Sequence, residues 1–167
     1  MARIVTERLV LETLTADEAA AIRADDRQGR HWAADYPTDG DRVVAAIIGE
    51  AGDAYDEAAP LGVLQARLGA TGEAVGGVGF LSAPDPHGEA EVGYGFAASA
   101  RGRGLATEAL EAVIGWAAGA GVTVVVALTT EDNVPSQRVL ERCAFARDGV
   151  VVTQEGRMLR WARRLRD

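Results

Sequence analysis

The most constraining stretch of this chain runs from Glu89 to Leu128, where the hydrophobic period changes twice. Glu89 to Phe96 reads as a strand, the last of three short ones after Leu61 to Leu68 and Ala74 to Leu81. Turn-forming segments, Gly69 to Gly72 and Ala83 to Gly88, separate the three, which is the pattern of an antiparallel meander. From about Gly104 to Ala118 the period becomes helical, with Leu105, Ala109, Ile114 and Trp116 inside it and Gly119 and Gly121 ending it. Val122 to Leu128 is then continuously apolar and β-branched, as a strand buried on both faces is. Strand, helix and buried strand in succession predict a right-handed parallel crossover within a largely antiparallel sheet. The fold class is α+β, with a mixed sheet of α/β type.

The flanking segments add elements to this frame. Ile4 to Glu12 reads as a first strand. Thr15 with Glu18 three positions on predicts a capping box and a helix to about Arg27. A second helix spans Gly40 to Ala51, with Val43, Val44, Ile47 and Ile48 as its apolar stripe. A short helix from about Val134 to Arg142 follows the crossover, and Val150 to Thr153 with Met158 to Arg164 close the chain as a hairpin. At 167 residues, 48% of them hydrophobic, the chain reads as one domain spanning 1–167.

Charge excludes several functions. All 17 basic residues are Arg, and without Lys there is no Walker A phosphate loop. A net charge of −8 opposes an electrostatic grip on nucleic acid. Residues 1–100 hold 7 Arg and 17 acids, whereas residues 101–167 hold 10 Arg and 8 acids, so the second part is the better host for an anion. Arg157, Arg160, Arg163, Arg164 and Arg166 read as solvated strand-edge and tail charges that discourage edge pairing. The one cysteine, Cys143, has no partner for a disulfide and reads as a small core residue. His31 and His87 have no ligand cluster near them, so no metal is expected. The absence of a signal-like start or an apolar run of membrane length predicts a soluble cytoplasmic protein.

Arg101-Gly102-Arg103-Gly104-Leu105-Ala106 carries the chemistry, because it lies between a strand and the first turn of a helix. The first helical N–H groups have no intrahelical partner, the helix dipole is positive there, and glycines admit a phosphate to the backbone. Such a turn holds a pyrophosphate without Lys, with Arg101 and Arg103 at its mouth. A dinucleotide fingerprint fits poorly, since Thr107 occupies its last small-residue place. The plain alternative is that the glycines only shape a turn and cap a helix.

Four ordered motifs resemble the GNAT superfamily of N-acetyltransferases, in its RimJ/RimL branch. They are Thr6-Glu7-Arg8-Leu9-Val10-Leu11; Glu91-Val92-Gly93-Tyr94; Arg101-x-x-Gly104-x-Ala106 continuing to Thr107-Glu108-Ala109; and Asn133-x-x-Ser136-x-x-Val139-Leu140-Glu141. The resemblance implies a splayed, mostly antiparallel sheet of about six to seven strands with helices on both faces. It also implies acetyl-CoA as co-substrate, with its pyrophosphate on Gly102 to Thr107 and its pantetheine at the end of the Glu89 to Phe96 strand. A backbone N–H near Gly95 or Phe96 is the implied oxyanion donor. Two departures stand out: Glu12 follows Leu11 where the family has Arg, and Ala144 precedes Phe145 where the family has Gly. A left-handed cap on Ala144 should cost about 1 kcal/mol.

Further site residues follow from this frame. Glu91 is the candidate general base, with Glu89 its nearest competitor on the same strand face and an exposed structural carboxylate the plain alternative. Ser136 is the candidate for supplying or placing the proton that leaves with CoA, and Asn133 for contacting the cofactor. Both also suit a plain helix cap, with Pro135 in the first turn. Trp32 and Tyr36 fall where the family often forms a wall of the acceptor pocket, and core packing is their alternative. The expected activity is acetyl transfer to a primary amine, a protein N-terminus or a small molecule, by a monomer or homodimer. The competing expectation is a non-catalytic acyl-CoA-binding sensor.

Overall fold

A computed structural model describes residues 1–165. Its strands are β1 (Arg3–Val5), β2 (Leu9–Thr13), β3 (Val63–Leu68), β4 (Ala74–Phe80), β5 (Glu89–Phe96), β6 (Val124–Thr129), β7 (Ala146–Thr153) and β8 (Gly156–Arg164). Its α-helices are α1 (Ala16–Ala24), α2 (Asp39–Ala51), α3 (Leu105–Gly119) and α4 (Val134–Arg142). One eight-stranded sheet has the order β1-β2-β3-β4-β5-β6-β8-β7. Among the strands of the described residues, only β5 and β6, joined through α3, pair in parallel.

The expected first strand is in fact a hairpin, which raises the strand count to eight. Thr6 N–H donates to the Leu9 carbonyl at 2.9 Å, and the Thr6 hydroxyl accepts from Leu9 N–H at 3.0 Å. This turn uses a hydroxyl rather than Gly, Pro or Asn, so its sequence carries no strong breaker.

Alternation along β5 separates the layers. Ala90, Val92 and Phe96 are buried and Tyr94 half-buried on one face; Tyr94 meets Ser136 of α4. The other face carries Glu91, Gly93 and Gly95, and a Cβ on Gly95 would lie 3.6 Å from Thr38 Oγ1 at the start of α2. Fully buried Val113, Leu110 and Ala117 of α3 join Val78 and Phe80 of β4 and Val125 of β6 in the core.

Helix details differ from expectation in three places. Thr15 does cap α1, but the Glu18 carboxylate turns inward to accept from Trp32 Nε1 at 2.7 Å and Gln65 Nε2 at 2.9 Å and to pair with Arg30. The capping box belongs instead to α2, between Thr38 and Asp41. On α2, Ala45 and Ile48 are buried while Val43 and Ile47 face solvent, so the expected stripe is rotated.

Three of the C-terminal arginines are paired rather than free, while Arg164 is exposed and in no ion pair among the described residues. Arg160 bridges Glu89 and Asp148, Arg163 reaches Glu111 and the Cys143 carbonyl, and Arg157 faces Glu131. Arg166 lies outside the described residues.

Candidate active site

The site begins where β5 changes partners. Glu89 to Glu91 pair with Val124 to Val126 of β6, whereas Val92 to Phe96 pair only with Phe80 to Gly76 of β4. Beyond Glu91 the two parallel strands therefore part. Just past β5, Ala97 N–H donates to the Val75 carbonyl at 2.8 Å. Alternation then assigns the main-chain groups of Gly95 and Gly93 to β4 and turns those of Tyr94 and Phe96 toward the opening.

The turn ahead of α3 closes one side of that opening. Arg101 N–H donates to Ala98 and Glu108 N–H donates to Gly104. Among the described residues, the six N–H groups between them, Gly102 to Thr107, have no hydrogen-bond partner in the chain. Gly104, at the helix cap, has φ 76°, a conformation that only glycine adopts at little cost. The Thr107 hydroxyl is buried without a hydrogen bond. Arg101 Nε donates to the Phe96 carbonyl at 2.9 Å, which ties the turn to the end of β5.

The opposite wall is α4. Asn133 caps it by accepting from Ser136 N–H at 3.3 Å. The Tyr94 hydroxyl lies 2.8 Å from Ser136 Oγ and donates to the Ser136 carbonyl at 3.2 Å. Burial drives the Tyr94 pKa up to about 12, against the opposing effect of the Ser136 hydrogen bond, so the phenol keeps its proton at neutral pH. Burial likewise pushes the Cys143 thiol up to about 12, which fits a core residue and not a nucleophile.

These pieces enclose a cleft of about 620 Å³. Of the residues singled out from sequence, Gly95, Phe96, Arg101, Gly102, Gly104, Leu105, Ala106, Thr107, Asn133 and Ser136 line it together. Arg103 does not; its carbonyl accepts from Arg8 Nη1 at 2.6 Å. Glu91 is exposed on the sheet face opposite Tyr94, outside the cleft, while its competitor Glu89 is paired with Arg160 at 2.7 Å. Trp32 and Tyr36 are buried edge to face at 5.4 Å, and Tyr36 OH accepts from Gln65 at 3.0 Å. Both lie in the core and outside the cleft, because Glu18 and Gln65 satisfy their polar ends from within.

Sequence reasoning missed Tyr94, Arg138 and Arg142, all on the cleft wall. Both arginines take part in no ion pair among the described residues. Their i, i+4 spacing on α4 was the available signal, since it sets two like charges on one helix face. Among the described residues no cluster of three His, Cys, Asp or Glu could hold a metal, and no helix is long and apolar enough to cross a membrane.

A cleft walled by Arg101, Arg138 and Arg142, with a row of free main-chain amides beside a parted pair of parallel strands, is suited to a bound diphosphate. The chain belongs to the GNAT acetyltransferase family: the family's domain model, described as Acetyltransferase (GNAT) domain, matches residues 8–146. GNAT acetyltransferases use acetyl-CoA. Over 74 residues the chain is 39% identical to YjdG, an uncharacterized N-acetyltransferase of Bacillus subtilis; the match covers 44% of each chain. The match therefore spans less than half the length of that curated relative. Among solved structures, a protein from Vibrio cholerae designated a ribosomal-protein-serine acetyltransferase shares the fold at TM-score 0.73 and 22% identity, over 98% of both chains. Mycobacterium smegmatis RimJ, in complex with CoA-disulfide, shares it at TM-score 0.66 and 19% identity, over 93% of this chain and 81% of that one.

Proposed function

We propose that this protein transfers the acetyl group of acetyl-CoA directly to a primary amine, with the α-amine of a protein N-terminus as the leading acceptor. One observation carries the reading: among the described residues, six consecutive N–H groups ahead of and in the first turn of α3 are unpaired, and five of their six residues line a cleft that also contains an orphaned Thr107 hydroxyl. A diphosphate satisfies donors of that kind, with the helix dipole adding to the attraction. Arg101, Arg138 and Arg142 supply further positive charge for the remaining phosphate. The acceptor class rests on the ribosomal-protein designation of the Vibrio cholerae neighbour.

The chain's own groups then divide the work. The Phe96 N–H, turned into the opening, stabilises the oxyanion that develops as the amine adds to the thioester carbonyl. As the carbon–sulfur bond breaks, the thiolate takes a proton from the Tyr94 hydroxyl, which the Ser136 hydroxyl orients and replenishes. Glu91, in no ion pair among the described residues, takes the proton of the acceptor amine, through water where the distance requires it. Its burden is small for an α-amine of pKa near 8, about 1.4 kcal/mol at pH 7, against about 4.6 kcal/mol for a lysine-like amine near 10.4.

Thiol release from acetyl-CoA tests this reading against a panel of peptides with free N-termini, lysine side chains and small amines. Turnover should be fastest with free peptide N-termini, and Glu91→Gln should slow the lysine-type amine more than the α-amine. Binding of CoA without thiol release for any amine in the panel would instead establish a non-catalytic sensor.

A further inference from the structure

The same cleft has an outer brace that no part of the reaction above uses. The β1–β2 turn and the first turn of α3, about a hundred residues apart in sequence, are joined through one carboxylate. Glu108 Oε1 accepts from the Thr6 hydroxyl at 2.5 Å and from Arg8 N–H at 2.7 Å, and Glu108 Oε2 accepts from Arg8 Nε at 2.7 Å. Arg8 Nη1 donates at 2.6 Å to the carbonyl of Arg103, inside the phosphate-binding turn itself. The four contacts bring together two motifs that are separate in sequence.

We infer that Arg8 is a positioning residue for the acyl-carrier site: it fixes the Arg103–Gly104 peptide and neutralises Glu108, so that the amides ahead of α3 meet a diphosphate without a bare carboxylate beside them. This rests on the reading of that turn given under Proposed function. Two geometric facts support it. A trans peptide carries its N–H opposite its carbonyl, so holding the Arg103 carbonyl turns the Gly104 N–H away from Arg8, and Gly104 lines the cleft. Helical side chains tilt toward the N-terminus, so Glu108, in the first turn of α3, brings its charge back toward the free amides. A negative charge there helps the bare helix but opposes a bound anion. Arg8 is the basic side chain paired with it, and the pair is compact, with the Glu108 side chain only 16% exposed.

Calorimetric titration with CoA, together with KM and kcat for acetyl-CoA, tests the inference on the whole chain and its Arg8→Met, Arg8→Lys, Glu108→Gln and Arg8→Met/Glu108→Gln variants. Arg8→Met should bind CoA about tenfold more weakly, with the loss in KM and with kcat changed less than about threefold. Glu108→Gln should bind within about threefold of the unaltered protein, and the double variant should recover only part of the Arg8→Met loss, because the uncompensated charge is gone while the Arg103 carbonyl stays unheld. Arg8→Lys should keep most of the affinity, and raising salt to about 0.5 M should narrow the Arg8→Met deficit. Unaltered CoA binding by Arg8→Met would overturn the inference, and a double variant with either full recovery or none would overturn its two-part form, in each case leaving the turn assignment standing. No CoA binding by the unaltered protein would overturn both.

Discussion

Ala144 shows how much a single residue reveals in the sequence alone. It follows α4 with φ 58°, the left-handed position that Gly takes at helix ends, and its cost was legible from the Ala-Phe pair that stands in place of Gly-Phe. Ala144→Gly should stabilise the protein by about 1 kcal/mol, raising the thermal midpoint by about 2–4 °C in a melting experiment; an unchanged midpoint would remove the strain argument. Residues whose meaning is local were legible: Thr15 caps α1, and Asn133 and Gly104 cap α4 and α3, the plain readings that stood beside their cofactor readings. Residues whose meaning is set by distant partners were not. Tyr36 carried two readings, pocket wall and core, and only the distant Gln65, which satisfies its hydroxyl, places it in the core. Arg160 looked solvated, yet it joins Glu89 of β5 to Asp148 of β7.

At the level of elements, period and caps gave α3, α4, β4, β5 and β6 nearly as they fold, because each is defined by its own hydrophobic pattern. The split between β1 and β2 was hidden, since the Thr6 hydroxyl that makes the turn is held by Glu108 of α3. This clamp has a pH signature. Partial burial pushes the Glu108 pKa up, but hydrogen bonds from Thr6 and Arg8 and the charge of Arg8 outweigh it, so the net shift is below the ordinary 4.5. A carboxylate with a depressed folded pKa contributes stability above its unfolded value, and that contribution is lost as pH falls through the folded value. Glu108→Gln should therefore be less stable than the unaltered protein at neutral pH, with the difference vanishing in acid. Denaturant midpoints measured from pH 7 down to about 3 check this, and a constant offset across the range would contradict it.

Over the whole molecule, the sequence of periods from Glu89 to Leu128 carried both the architecture and the cleft. A helix between two parallel neighbours puts its N-terminus beside the end of the first strand, and the second strand is free to part from it. The amine side was less legible: Glu91, Trp32 and Tyr36 were chosen by analogy, and none of the three lines the cleft. The account stands on the amide row, and titration calorimetry with CoA on the unaltered protein and on Gly104→Val tests it most directly. At Gly104 a β-branched residue is strained at φ 76°, with its Cβ in ordinary contact with Arg8 Nη2 at 3.4 Å. The account predicts saturable binding by the unaltered protein and at least about tenfold weaker binding by Gly104→Val with its circular dichroism preserved. A flat trace for the unaltered protein, or equal affinity in the two, would contradict it.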